Sequence, residues 1–135
     1  MKNLLWLTLT ICLLGSCNKV VEDKKRDIIL DAITDGQWYV YSYMDGGEDI
    51  SSTFSPYTFQ FYRDGRVKGF TPSSEDLGVW EGDPDALTIY SNFPSAESPV
   101  SKLNAVWKLT NYTMDYVKAE ATVSGNLCKL YLKKK

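Results

Sequence analysis

The sequence predicts an all-β domain: an eight-stranded antiparallel up-and-down barrel with one short N-terminal helix. Three observations predict it. From Gly36 onward apolar and polar residues alternate with a period of two, the signature of strands with one buried face. The alternating segments are separated by Asp, Asn, Gly, Ser and Pro at short intervals, as in antiparallel all-β domains. A chain of 135 residues that is 44 % hydrophobic, 24 % charged and 13 % aromatic has the size and composition of one globular domain with a real core.

The first residues read as an address. Lys2 precedes the run Leu4-Leu5-Trp6-Leu7-Thr8-Leu9-Thr10-Ile11-Cys12-Leu13-Leu14. This run is too short for the roughly 20 residues that cross a bilayer, and it suits the apolar region of a signal peptide. Residues 1–16 are assigned to that signal. The junction Leu14-Gly15-Ser16-Cys17 resembles the bacterial lipobox, in which the cysteine is lipidated and becomes the first mature residue. Cys17 is therefore the expected lipidation site, and residues 17–26, ending in Lys24-Lys25-Arg26, are the expected charged tether. Acyl chains anchor by burying methylenes, about 0.8 kcal/mol each, so no transmembrane helix is required. With Cys12 removed and Cys17 acylated, Cys128 is the remaining thiol, and its alternation with Leu130 and Leu132 predicts a buried position on a strand.

Residues 27–135 form the expected barrel domain. Ile29, Ala32 and Ile33 lie at helical spacing, and Gly36 can stop the helix. Strands are predicted at Gln37–Met44, Tyr57–Tyr62, Arg66–Phe70, Gly78–Glu81, Ala86–Tyr90, Ala105–Thr110, Met114–Ala121 and Leu127–Lys133. Turn chemistry separates them at Asp45-Gly46-Gly47, Asp64-Gly65, Gly82-Asp83-Pro84-Asp85, Asn111-Tyr112-Thr113 and Ser124-Gly125-Asn126. Asn92–Leu103, with Pro94 and Pro99, is the long loop, expected at a barrel mouth. Lys133-Lys134-Lys135 reads as a solvated tail.

Alternation assigns the faces. Trp38, Val40 and Met44 are expected to point inward, with Tyr39, Tyr41 and Tyr43 as an outward stripe. Tyr57, Phe59 and Phe61, then Trp107 and Leu109, then Leu130 and Leu132, complete the inner set, and Trp80 is also read as a strand residue of the core. Eight strands enclose a space just wide enough to be filled by side chains or to hold one small ligand.

With these motifs in place, the chain resembles the lipocalin-like domain of small lipoproteins of Gram-negative bacteria. The resemblance rests on the Gly-x-Trp opening in Gly36-Gln37-Trp38, on Tyr43-Met44-Asp45-Gly46-Gly47, and on Tyr57-Thr58-Phe59-Gln60-Phe61-Tyr62-Arg63-Asp64-Gly65. Gly78-Val79-Trp80-Glu81 with Leu87-Thr88-Ile89, Trp107-Lys108-Leu109, and Thr113-Met114-Asp115-Tyr116, which is the lipocalin Thr-Asp-Tyr motif with one insertion, extend it over residues 33 to 133. It implies a capacity to bind small apolar molecules in the cell envelope, as an outer-membrane lipoprotein. Lipocalins also carry an arginine over the opening tryptophan; this sequence lacks that motif, leaving Lys108 and Arg63 as candidates to cover Trp38.

Composition limits the chemistry. There is no histidine, so a Ser/His/Asp triad and histidine-ligated metals are excluded, and no catalytic residue, metal or cofactor is assigned. A net charge of −2 lacks the basic footprint of a nucleic-acid binder. Asp45, Glu48 and Asp49, and Asp83 with Asp85, are read as turn carboxylates and not calcium ligands. Two functions fit a chain read as a non-enzyme. The first is a membrane-anchored barrel binding a small hydrophobic ligand through Trp38, Val40, Tyr57, Phe59, Phe61, Trp80, Trp107 and Leu109. The alternative is a filled barrel that docks an envelope protein partner.

Overall fold

The computed structural model describes residues 16–135, including the side chains of residues 24 and 26–135. Residues 1–15 of the expected signal peptide, Cys12 among them, and the side chain of Cys17 lie outside the described residues. The elements are α1 (Ser16–Thr34), β1 (Trp38–Asp45), β2 (Glu48–Asp49), β3 (Thr58–Phe61), β4 (Arg66–Phe70), β5 (Glu75–Asp83), β6 (Thr88–Asn92), β7 (Ala105–Tyr112), β8 (Tyr116–Val123) and β9 (Asn126–Lys134). Each long strand pairs antiparallel with the next, and β9 returns to β1, so eight strands close the predicted barrel. The two-residue β2 adds only a spur to β1. Closure is uneven, because β1 is registered along β9 from Trp38 to Asp45 but meets β3 only where Trp38 opposes Phe59.

Helix α1 is longer than the periodicity predicts and runs back through the segment expected as a tether. Lys, Glu and Arg are good helix formers, and residues 18–26 contain no glycine or proline to stop the helix. It ends where Gly36 takes φ +75°, with the Asp35 N–H donating to the Asp31 carbonyl.

One correction reorients β1. Val40 opposes Leu132 and Ser42 opposes Tyr131, so Tyr41 is an extra residue, a β-bulge. The bulge shifts the alternation by one. Tyr43, expected outward, is fully buried, and Met44, expected inward, is not part of the core. A second bulge lies between Leu109 and Asn111 in β7, beyond its inward Trp107 and Leu109.

Other boundaries shift for local reasons. Gly82 and Asp83 belong to β5, and the following turn is built by the Asp83 carboxylate, which accepts the N–H groups of Asp85 and Ala86. Strand β6 therefore starts at Thr88, not Ala86. Met114 is likewise in a turn, where Thr113 Oγ1 accepts from the N–H groups of Asp115 and Tyr116.

The barrel ends differ. The end away from α1 is sealed by two 3-10 segments, Ser51–Phe54 and Val100–Leu103, which insert Phe54, Val100 and Leu103 beside Phe93. Phe54 stacks on Tyr43 at 5.3 Å, and the carbonyl of Leu103 accepts from Ser91 Oγ at 2.6 Å and Trp107 Nε1 at 2.9 Å. Phe93 fits only because its neighbour is a glycine: a Cβ on Gly78 would stand 2.5 Å from the Asn92 carbonyl oxygen and 2.9 Å from the Phe93 ring. The long loop predicted at a mouth is thus its plug.

Candidate functional site

The opposite end is covered by α1. Its apolar residues Ile29, Ala32 and Ile33 face the barrel, and Ile33 enters the core. Three contacts hold the helix down. Asp31 pairs with Arg63 of the β3–β4 hairpin. The Trp38 indole N–H donates to the Ile33 carbonyl at 2.8 Å. Lys134 Nζ donates to the Ala32 carbonyl at 3.3 Å and the Asp35 carboxylate at 3.4 Å, 5.0 Å from the Trp38 ring centroid. Lys134, rather than Lys108 or Arg63, therefore covers the opening tryptophan. Nor are the terminal lysines a solvated tail, since Lys135 Nζ also donates to Thr58 Oγ1 at 2.9 Å.

Two apolar spaces lie beneath this helix. Inside the barrel a void of about 40 Å³ is bordered by Phe59, Phe61, Phe93, Trp107, Leu109 and Leu130, among others. That is room for a few waters, not for a lipid. Between α1 and the mouth lies a cleft of about 210 Å³, lined by Ile28, Ile29, Ala32, Ile33, Ile89, Leu109, Tyr112, Thr113, Met114 and Val117. Ile33, Ile89, Leu109 and Val117 border both spaces, so a short apolar wall divides them. A dry apolar cavity on the order of 150 Å³ can hold a benzene-sized molecule. The cleft has that capacity and the barrel void does not.

The expected ligand residues separate accordingly. Phe59, Phe61, Trp107 and Leu109 line the interior void, and Leu109 also reaches the cleft. Trp38 and Val40 are buried and border neither space. Trp80 is buried too, its indole N–H on the Tyr62 carbonyl at 2.8 Å and its ring edge-on to Phe61. Tyr57 is half-buried and stacks on Phe59 at 6.2 Å. The cleft residues outside the expected ligand set come from the helix, from the end of β7 and the β7–β8 turn, and from Ile89 of β6 and Val117 of β8. One signal was available: Ile29, Ala32 and Ile33 formed an apolar helix face with no assigned partner.

The polar groups at the sealed end have structural roles. Asp45 accepts from Lys102 Nζ at 2.7 Å and Asn126 Nδ2 at 3.1 Å, and the Cys128 thiol lies 3.5 Å away. The Lys102 hydrogen bond, then that of Asn126, holds the Asp45 carboxyl below its ordinary range, and Asp45 in turn raises Lys102. Cys128 is buried as expected. Asp49 accepts from the Ser51 backbone N–H and hydroxyl, so it serves the turn after β2.

No family model matches the chain, and no curated protein matches it. Among solved structures it is similar to a DUF4847 family protein from Bacteroides vulgatus ATCC 8482, with a TM-score of 0.60 and 12 % identity. The match covers 79 % of this chain and 97 % of that one. What the two share is the fold. That likeness and the closed ring of eight strands fit a lipocalin-like barrel.

Proposed function

We propose that this chain is a lipid-anchored envelope protein of the outer membrane that binds a small apolar molecule in the cleft beneath α1. The carrying observation is the 210 Å³ apolar cleft at the helix-covered mouth of the barrel. The barrel itself is the rigid support for that cleft, and Ile33, Ile89, Leu109 and Val117 wall it off from the interior. Lipidation at Cys17 after removal of residues 1–16 remains part of this reading, supported by the lipobox-like sequence. A binding role is in keeping with a sequence that has no histidine to move protons near neutral pH.

Isothermal titration of the protein with octanoate and with toluene tests the cleft. Saturable binding of either probe, lost when Ala32→Phe fills the cleft and retained when Leu77→Ala alters the outer face, supports the proposal. No saturable heat with either probe contradicts it.

A second reading is favoured by one observation. Leu77, Val79, Tyr90 and Val106 are exposed on the adjoining outer faces of β5, β6 and β7, with Tyr90 directly opposite Val106. A docked envelope protein would bury that patch. Crosslinking in intact membranes distinguishes this role, because Leu77→Glu with Val106→Glu would abolish a partner adduct without touching the cleft.

A further inference from the structure

The outer face of β1, β8 and β9 differs from the rest of the surface. Register places Tyr116, Lys133 and Tyr39 in one row and Lys118 and Tyr131 in the next, beside the bulged Tyr41. The rings pack edge to face, Tyr41 on Tyr131 at 4.9 Å and Tyr131 on Tyr116 at 5.8 Å. Lys133 Nζ stands 3.7 Å from the Tyr41 centroid, and Lys118 Nζ 4.7 Å from that of Tyr131. The third row holds Lys129, whose partner Glu120 at 3.9 Å is the sole carboxylate of this grid. Among the described residues, neither Lys118 nor Lys133 makes an ion pair.

Positive charge is thus gathered on one face of a chain whose net charge is −2. Its rows of side chains extend across three strands, so it suits an extended surface better than a small ligand. Tyrosines with an apolar body and polar tip, interleaved with lysines whose stems cover apolar surface, are the side chains that settle at a lipid–water interface. We propose that this Tyr/Lys face rests on an anionic lipid bilayer and sets the orientation of the barrel on the membrane. The proposal rests on the membrane-anchored reading above, because the attraction of two unpaired lysines to an anionic surface is too weak to hold a free protein to a bilayer. A tether supplies the local concentration, and the face then chooses the orientation.

The experiment supplies its own tether. The full chain carrying Cys17→Ala, with residues 1–16 replaced by a hexahistidine, is bound to vesicles containing nickel-chelating lipid, in either phosphatidylcholine or phosphatidylcholine with phosphatidylglycerol. Failure of natural lipidation therefore leaves this test intact. Lysine acylation read by mass spectrometry is expected to slow several-fold at Lys118, Lys133 and Lys129 on phosphatidylglycerol vesicles. Lys68, on the outer surface of β4, should be unchanged, and the protection should disappear in high salt. Lys118→Glu with Lys133→Glu should remove the protection of Lys129, circular dichroism confirming the fold. Equal labelling of Lys118 and Lys133 on both vesicle types overturns the proposal. Protection by soluble dextran sulfate with none by phosphatidylglycerol vesicles also overturns it, assigning the face to an anionic polymer.

Discussion

Lys134 Nζ sits 5.0 Å from the centre of the Trp38 ring, so the last strand clamps the first at the point where the helix joins the barrel. The ammonium is largely shielded and is shared with the Ala32 carbonyl and Asp35. Lys134→Met is therefore expected to lower stability by about 1 kcal/mol, the scale of a partly desolvated cation–π contact. Urea unfolding of the two proteins measures it. Lys108→Met should cost less, because Lys108 does not contact that ring and its hydrogen bond to the Ala86 carbonyl is exposed.

Tyr43 tests the bulge in β1. Its hydroxyl donates to the Lys102 carbonyl at 2.7 Å, and Tyr43→Phe should cost about 1 kcal/mol. An outward Tyr43, as unbroken alternation requires, would make the change neutral. Burial pushes its hydroxyl pKa up, so the folded state holds that proton more tightly than the unfolded chain. Stability from this group is complete below the ordinary tyrosine value of about 10 and falls as pH rises beyond it. Alkaline unfolding should begin at higher pH in Tyr43→Phe, read by circular dichroism.

Asp45 gives the opposite dependence. Its carboxyl is held low by Lys102 and Asn126, so its contribution is present above the ordinary carboxylate value of about 3.9 and is lost as pH falls further. Melting temperatures taken across acidic pH should fall more steeply for the natural protein than for Asp45→Asn. Parallel curves would mean that the Asp45 contacts to Lys102 and Asn126 contribute nothing.

Cys17→Ala should release the protein from the membrane fraction after cell lysis, since the anchor would be its covalent lipid. Immunoblotting of soluble and membrane fractions reads the outcome. Tight association of the variant would show that another element holds the chain.

The strand order and most of the core were legible because alternation reports burial directly. Phe59, Phe61, Trp107, Leu109, Leu130 and Leu132 all point inward as their spacing required. Tyr43 and Met44 were misassigned because a bulge inserts one residue without any compositional mark, and every residue beyond it changes face. Phe54, Phe93, Val100 and Leu103 carry no period at all, since short 3-10 segments and loops place side chains by tertiary packing. The cleft was hidden for a related reason. It lies between a helix face and a turn, elements whose mutual position no local pattern encodes.

Methyl NMR of the protein titrated with octanoate tests the central claim most directly, because the cleft methyls can be watched one by one. The account predicts saturable shifts at Ile28, Ile29, Ile33, Ile89 and Met114, which line the cleft, with Leu77 and Val79 on the outer face unmoved. No saturable shift, or saturable shifts confined to residues outside the cleft, would contradict it.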